Sequence, residues 1–239
     1  MDNPPSAAEL TRSEAEIARL VAIHCVDPTG KADPILDGVI EPARYVQAPV
    51  KILWILKEPW DGADHSGGGW NLCGLLSTRA RDMMKGSTFR NIYYVTYGML
   101  KGVRDWNSIP YPKNDPDAAA TLQSIAFINA KKLPGPRRGS KPDGILSAYE
   151  KSREIIRRQI TAYRPDVVLG CAPHMPRIID DMAGERSPGR RRSGHVRHLN
   201  LSGTIYMEVF HPAQVSIRHA DYVADILRAF DDERERLAR

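Results

Sequence analysis

The sequence predicts an α/β fold of three layers, in which helices cover both faces of a central, mainly parallel four-stranded sheet. Two observations lead to this prediction. Four short apolar runs occur along the chain, and segments with helical spacing of apolar residues separate them. Strands that alternate with helices form parallel sheets, because each helix carries the chain back across the sheet.

The four apolar runs are predicted to be buried strands. A short, nearly continuous apolar run is typical of a strand that is covered on both faces in a parallel sheet. The predicted strands cover residues 50–56, 125–129, 167–170 and 205–210.

The segments between the strands are predicted to be helical. Ser13 is a suitable N-cap for the first helix, and residues 1–12 are predicted to be a polar tail. Residues 92–103 form either another helix or a mixed segment. The remaining sequence shows no repeat and no linker, so a single domain over residues 1–239 is expected. Helices are predicted over residues 13–24, 72–84, 145–163, 176–182 and 221–237.

The composition is that of a globular protein with one sizeable core. The chain has 239 residues, of which 42% are hydrophobic. No apolar stretch approaches the roughly 18 residues of a membrane helix. The N-terminus lacks the features of a secretory signal, so we expect a cytoplasmic protein and no membrane partner. The three cysteines, Cys25, Cys73 and Cys171, are widely spaced and are predicted to be small buried thiols, with no metal or other cofactor.

The net charge of +5 is concentrated in two regions. Both are predicted to be flexible loops, and adaptable positive segments suit contacts with a phosphate backbone. The alternative is that these loops are solvated and serve only solubility. The two basic sets are Lys131, Lys132, Arg137, Arg138 and Lys141, and then Arg186, Arg190, Arg191, Arg192 and Arg197.

Reactive side chains follow the ends of the predicted strands. In open α/β sheets, ligands bind outside the carboxyl ends of the strands. An acid, an amide, a histidine and an aromatic side chain are therefore expected to meet in one cleft. The four strand-end segments are residues 57–60, 129–131, 171–174 and 211–214.

Several of these stretches resemble the uracil-DNA glycosylase superfamily. The matching stretches are residues 52–60, 69–76, 126–134, 158–170 and 209–212, and they occur in the family's order. The resemblance covers roughly residues 50–235, apart from an irregular segment at about 86–122, and lacks the cysteines of the iron–sulfur members. It implies a monofunctional DNA glycosylase that flips out and excises uracil, and further deaminated bases if its pocket admits them. The expected partner is uracil-containing DNA, single- or double-stranded, and the expected state is a monomer.

The resemblance assigns catalytic roles to His211 and Glu58. Departure of the base leaves negative charge on the uracil ring, and a histidine held at a rigid strand end before Pro212 can stabilise that charge. Glu58 stands where many members carry an aspartate that positions water. It differs by one methylene, and capping a backbone N–H is the alternative role for this residue.

Further positions are assigned to binding. Asn129 offers a donor and an acceptor to the edge of a flipped base, and a turn-forming asparagine is the alternative. Trp70 corresponds to the aromatic that stacks on the base and Trp60 to the one that excludes the thymine methyl group; either can instead fill the core. Lys57 is predicted to contact the substrate. The predicted DNA contacts are Lys131, Arg190, Arg191, Gln214, Ser216 and Arg218.

Some positions depart from the family or stay open. Ala213 replaces the serine that more often follows the His-Pro pair, which puts a phosphate contact there in doubt. His174 is either a groove contact or the lead into the next helix. The other histidines after residue 60 are expected at the surface: His65, His195, His198 and His219.

Two other functions compete with the glycosylase. The first is a protein of the same fold that binds uracil-containing DNA or an abasic site without turnover, which applies if Glu58 is not catalytic. An α/β phosphohydrolase needs a cluster of metal-binding carboxylates, and only Asp61 and Asp64 lie close to Glu58 in the sequence.

Overall fold

A mixed sheet runs through the centre of the computed structural model, which describes residues 5–61, 67–136, 139–171, 173–184 and 189–238. Within these ranges the sheet has seven strands in the order β1-β3-β2-β4-β7-β6-β5. The strands are β1 (Gly38–Val39), β2 (Ile52–Leu56), β3 (Ala126–Asn129), β4 (Val167–Cys171), β5 (Arg191–Ser193), β6 (Val196–Leu201) and β7 (Thr204–Val209).

The parallel centre of the sheet is the one that the sequence predicts. The four predicted strands are β2, β3, β4 and β7, and they pair in parallel in the order β3-β2-β4-β7. A sheet of only four strands was the wrong prediction. β1 adds an antiparallel strand beside β3, and β5 and β6 form an antiparallel hairpin beside β7. β1 has two residues and β5 begins with two exposed arginines, so neither carries an apolar run.

Helices cover both faces of the sheet, as predicted. Along β2, Trp54 and Leu56 face one core cluster, whereas Leu53 and Ile55 face the other, because successive strand residues point to opposite faces. The first cluster includes buried residues of α3 (Leu72–Met83), α4 (Ser87–Lys101), α5 (Ala118–Gln123) and α8 (His219–Leu237). The second includes those of α1 (Ala7–His24), α2 (Pro42–Gln47), α6 (Pro142–Tyr163) and α7 (His174–Ala183).

The first helix begins earlier than predicted. Ser6, not Ser13, is the N-cap of α1, and Ser6 and Glu9 form a reciprocal capping box. Leu10 is fully buried, so the apolar face of the helix extends into the segment predicted to be a polar tail. In the irregular segment, α4 forms a complete helix, followed by a 3-10 turn at Trp106–Ser108.

The structure also bears on the cysteines and on membrane-spanning helices. Cys25, Cys73 and Cys171 are free and buried, which confirms the prediction for the thiols. In the part of the chain that the structure describes, no helix combines the length and the apolar character needed to cross a membrane.

A candidate active-site cleft at the carboxyl end of β7

A cleft of about 440 Å³ opens beside the carboxyl ends of β4 and β7. The predicted residues Lys57, His211 and Gln214 line it. The cleft also takes in side chains of the β5–β6 hairpin and the ends of the strands, namely Cys171, Arg192, His195, Arg197, Glu208, Val209 and Phe210.

His211 is held in one tautomer at the wall of this cleft. The backbone N–H of Ala213 donates to His211 Nδ1 at 3.1 Å, so Nδ1 is an acceptor and the proton of the neutral ring lies on Nε2. Burial, and then the nearby charge of Lys57, lower the pKa of His211 to about 4. At neutral pH the ring is therefore an uncharged hydrogen-bond donor.

The backbone around His211 is fixed by two helices. Asn91 of α4 is fully buried and donates from Nδ2 to the carbonyl of Pro212 at 2.5 Å, and its Oδ1 lies 2.7 Å from His219 Nδ1. Tyr222 of α8 donates to the carbonyl of Phe210. Asn91 was not predicted as a site residue, because it lies in the irregular segment that the family resemblance leaves out.

Glu58 is engaged with the protein itself. Its Oε2 accepts from Lys131 Nζ at 2.8 Å and from Ser140 Oγ at 2.6 Å, and its Oε1 accepts from the Ser140 N–H. The Glu58 side chain is 7% exposed. A Cβ atom on Gly135 would lie 2.1 Å from the Glu58 carboxyl carbon, so the loop packs closely around the carboxylate. Glu58 thus anchors this loop to the end of β2, and Lys131 is its counterion.

Asn129 ends β3, beside Leu56 of β2, and is 1% exposed. Its backbone N–H donates to Asp37, whereas its side-chain Nδ2 has no hydrogen-bond partner among the described residues. A buried amide without a partner is costly, which makes it a candidate for contact with a ligand. β2 and β4 separate Asn129 from β7, and Asn129 does not line the cleft of His211.

The two predicted aromatic contacts differ in how they are held. Trp70 is partly buried against the core, and its Nε1 donates to Asp61 at 2.7 Å. Asp61 also accepts from the N–H groups of Gly67 and Gly68, which fixes the glycine-rich loop before Trp70. Trp60 is 58% exposed and presents its ring to solvent.

The second basic segment is an ordered hairpin from residue 191 onward, so the prediction of a flexible loop was wrong there. Arg190 pairs with Asp180 at 3.0 Å and Glu208 at 2.8 Å, and Arg191 pairs with Glu233 at 2.9 Å. Arg190 thus contacts α7 and β7, and Arg191 contacts α8. Arg186 lies outside the described residues.

In the first basic segment, Lys132 is buried and pairs with Asp37 at 2.6 Å. Gln159 accepts a hydrogen bond from the same ammonium group. Lys132 is therefore part of the core and does not face a ligand. Arg137 and Arg138 lie outside the described residues.

The loop after His211 exposes an apolar side chain. Val215 is 95% exposed at the tip of this loop. The side chain of Gln214 accepts from the N–H of Ile217 and donates to its carbonyl, so it shapes the loop. Ser216 is exposed, and Arg218 pairs with Asp221 at 2.7 Å. No sequence signal singles out Val215, because Ala213 and Ile217 are also apolar in this stretch.

The remaining histidines divide between the surface and the core. His174 is fully buried at the start of α7, and its Nε2 lies 3.2 Å from the carbonyl of Ile55. Burial lowers the pKa of His174 to about 4. Because the side chain is buried, His174 is not a groove contact. His198 was wrongly predicted at the surface, since it is 1% exposed and bonds Glu233 and Ser193. His65 lies outside the described residues.

Comparison with known proteins adds no family assignment. A scan against protein-family models and a search of curated proteins each found no match to this chain. Within the described residues, no group of three or more histidine, cysteine or acidic side chains is arranged to hold a metal ion.

Proposed function

We propose that the protein is a monofunctional DNA glycosylase that flips uracil out of DNA and hydrolyses its N-glycosidic bond. The observation that carries this proposal is the tautomer of His211, which leaves Nε2–H as a neutral donor in a cleft. Uracil departs as an anion, and a donor already in place stabilises that charge without reorganisation. A neutral ring suits this role, because it keeps its proton while it stabilises the anion.

The charge around His211 supports an anionic ligand. Lys57 lines the cleft close enough to lower the pKa of His211. Arg192 and Arg197 line it from the hairpin, and both are exposed. Arg197 is 3.9 Å from Glu208, a loose pair that a phosphate can replace. These two arginines are better phosphate contacts than Arg190 and Arg191, whose ion pairs are closer.

One other feature supports the flipping of a base out of DNA. Asn129 does not, because it is buried and lies outside the cleft of His211. Val215, exposed at the tip of the loop, can enter the space that the flipped nucleotide leaves, as apolar wedges do in other DNA-bending proteins. We expect the protein to act as a monomer in the cytoplasm.

The direct test is base release by the full chain from a panel of oligonucleotides. Each carries one uracil, hypoxanthine or xanthine, in single- and double-stranded form, with a thymine oligonucleotide as the matched control. Hot alkali then cuts the strand wherever a base has been lost. We expect cuts at uracil, most readily in single strands and mispairs because flipping there costs least. No alkali-labile site in any member of the panel would refute the proposal.

A second function has one observation in its favour. The Glu58 carboxylate, which the family resemblance makes the water-positioning group, is occupied by Lys131 and Ser140. A protein of this fold that binds uracil-containing DNA or an abasic site without turnover needs no such group. Preferential binding to a uracil oligonucleotide over its thymine counterpart, with no alkali-labile product, would favour this alternative.

A further inference from the structure

A second histidine borders the cleft of His211. His195 lies in the turn between β5 and β6, and the antiparallel register of β6 with β7 places it opposite Phe210. The two rings meet edge to face, with 6.2 Å between their centroids. The side chain of His195 is 48% exposed and lines the same cleft as His211. The two histidines thus approach the cleft from adjacent strands.

Asp225 of α8 fixes the orientation of His195. Its Oδ2 accepts from the backbone N–H of His195 at 3.0 Å and lies 2.7 Å from Nδ1. The side chain of Asp225 is 11% exposed, and its other oxygen accepts from Arg228. Gly194, with φ +56°, packs directly on this carboxylate, where a Cβ would lie 2.1 Å from Asp225. The turn is therefore shaped around the bond between Asp225 and His195.

The two histidines offer the cleft opposite hydrogen-bonding polarity. A carboxylate can only accept, so the proton of neutral His195 lies on Nδ1 and the lone pair lies on Nε2. In His211 the backbone N–H of Ala213 imposes the reverse, with the proton on Nε2. In the described part of the chain, no hydrogen bond engages His195 Nε2. One side of the cleft thus carries a proton acceptor and the other a proton donor.

We propose that His195, oriented by Asp225, is the general base of the reaction; this inference rests on the proposed glycosylase function. His195 Nε2 takes a proton from water as the water oxygen forms a bond to C1′ of the deoxyribose. The bond between C1′ and the uracil nitrogen breaks, and its electron pair leaves with the base, whose charge the His211 donor stabilises. The proton on His195 then passes through solvent to the uracil anion. The products are neutral uracil and an abasic sugar that carries a hydroxyl group.

The proposal accounts for a reaction in which Glu58 takes no direct part. The Glu58 oxygens accept hydrogen bonds from Lys131 and Ser140. The Asp225 carboxylate, in contrast, holds the ring of His195 in position. An imidazole supported by a carboxylate is a recurrent arrangement for proton abstraction, in which the carboxylate selects the tautomer.

The test is single-turnover base release from a single-stranded uracil oligonucleotide by the full chain. We expect His195→Ala to lower the rate about 10²–10⁴-fold, the usual contribution of a general base. Asp225→Asn should lower it as well, because an amide no longer enforces the tautomer. Affinity for an oligonucleotide with a tetrahydrofuran abasic analogue should stay close to that of the wild type. His24→Ala is the matched control, since His24 is exposed at the end of α1, away from the cleft.

Added imidazole distinguishes chemistry from structure. It should restore part of the rate of His195→Ala, because a free imidazole can occupy the vacated space, and it should not change the wild type. His195→Gln is a second variant in case His195→Ala does not fold, because glutamine keeps a hydrogen-bond donor for Asp225. It should fold and release uracil as slowly as His195→Ala.

The outcomes separate this inference from the function on which it rests. A wild-type rate in folded His195→Ala or His195→Gln overturns the inference and leaves the glycosylase intact. Slow variants that lose DNA affinity in proportion, without rescue by imidazole, overturn it in favour of a binding role. A wild type that releases no base overturns both proposals.

Discussion

The ends of β2 and β7 place two predicted catalytic side chains in opposite situations. Around Glu58, Lys131 and Ser140 occupy both carboxylate oxygens, and Gly135 closes over them. Around His211, the protein fixes the backbone and one ring nitrogen, and it leaves the other nitrogen at a cleft. A polar group whose partners all belong to the protein stabilises the fold. A group that is rigidly oriented, with one atom kept available, is prepared for a ligand.

Between these two strand ends, the larger expected effect on base release is at the β7 end. His211→Ala should lower the single-turnover rate of uracil release about 10²–10³-fold, which is typical for loss of one donor to a developing anion. Affinity for DNA with the tetrahydrofuran abasic analogue should change little, because the arginines proposed to contact phosphate remain. His24→Ala serves as the control. If folded His211→Ala releases uracil at the wild-type rate, His211 is not catalytic, and it does not differ from Glu58 in this respect.

Acid should weaken the fold through His174 and His211, because burial lowers the pKa of both side chains. His174 has a pKa of about 4 in the folded protein, against about 6.5 in an unfolded chain. The unfolded chain therefore binds more protons between these values, so the stability is complete above pH 6.5 and falls as the pH drops towards 4. The loss from His174 should reach about 3 kcal/mol, and His211, with its similar pKa, should add to it.

Urea unfolding at a series of pH values from 7 to 4 measures this loss. The variant His174→Gln, which keeps a donor for the carbonyl of Ile55, should show a flatter dependence than the wild type. His24→Ala should keep the wild-type slope. Equal slopes in the wild type and His174→Gln would show that His174 titrates as in an unfolded chain.

At the β2 end we expect an effect on stability. Glu58→Gln removes a buried partner of Lys131 and should lower the free energy of unfolding by about 1–3 kcal/mol. Base release by the folded variant should remain close to the wild-type rate. A double-mutant cycle with Lys131→Met measures the coupling between the two residues. A stable Glu58→Gln variant that has lost base release would instead make Glu58 catalytic.

The smallest expected effect lies at the tip of the loop after His211. Val215→Ser should lower uracil release from double-stranded DNA about five- to tenfold, since it removes roughly 1 kcal/mol of apolar contact in the gap left by the base. Release from single strands should not change. Val26→Ser is a matched control, because Val26 is 61% exposed on a different part of the surface. Equal losses on both substrates would exclude a wedge.

The sequence predicts the parallel centre of this fold well, because burial on both faces imposes continuous apolar runs. It also places His211 and Lys57 at one cleft, since the ends of parallel strands share one edge of the sheet. It misses the β5–β6 hairpin, whose exposed arginines break the apolar pattern. It places the first N-cap seven residues late, at Ser13. The first turns of α1 contain a single buried apolar side chain, Leu10, which is too few to show a helical pattern.

The sequence reveals less about the candidate site, because its chemistry depends on partners that lie far apart in the chain. Ser140 and Glu58 meet only in the folded protein, and so do Asn91 and Pro212. The sequence predicts His195 only as a surface histidine, because Asp225, which orients its ring, lies 30 residues away in the chain. A residue type suggests a role, but its hydrogen-bond partners decide whether an atom is left for a ligand.

The edges of the sheet bear on how copies of this chain meet one another. Exposed edge strands invite pairing between molecules, which leads to aggregates. Here the edge strand β1 has two residues, and the edge strand β5 has three, of which Arg191 and Arg192 are exposed. A second copy adding a strand beside β5 would bring its arginines against these. The hairpin that shapes the cleft thus also discourages growth of the sheet into a fibre.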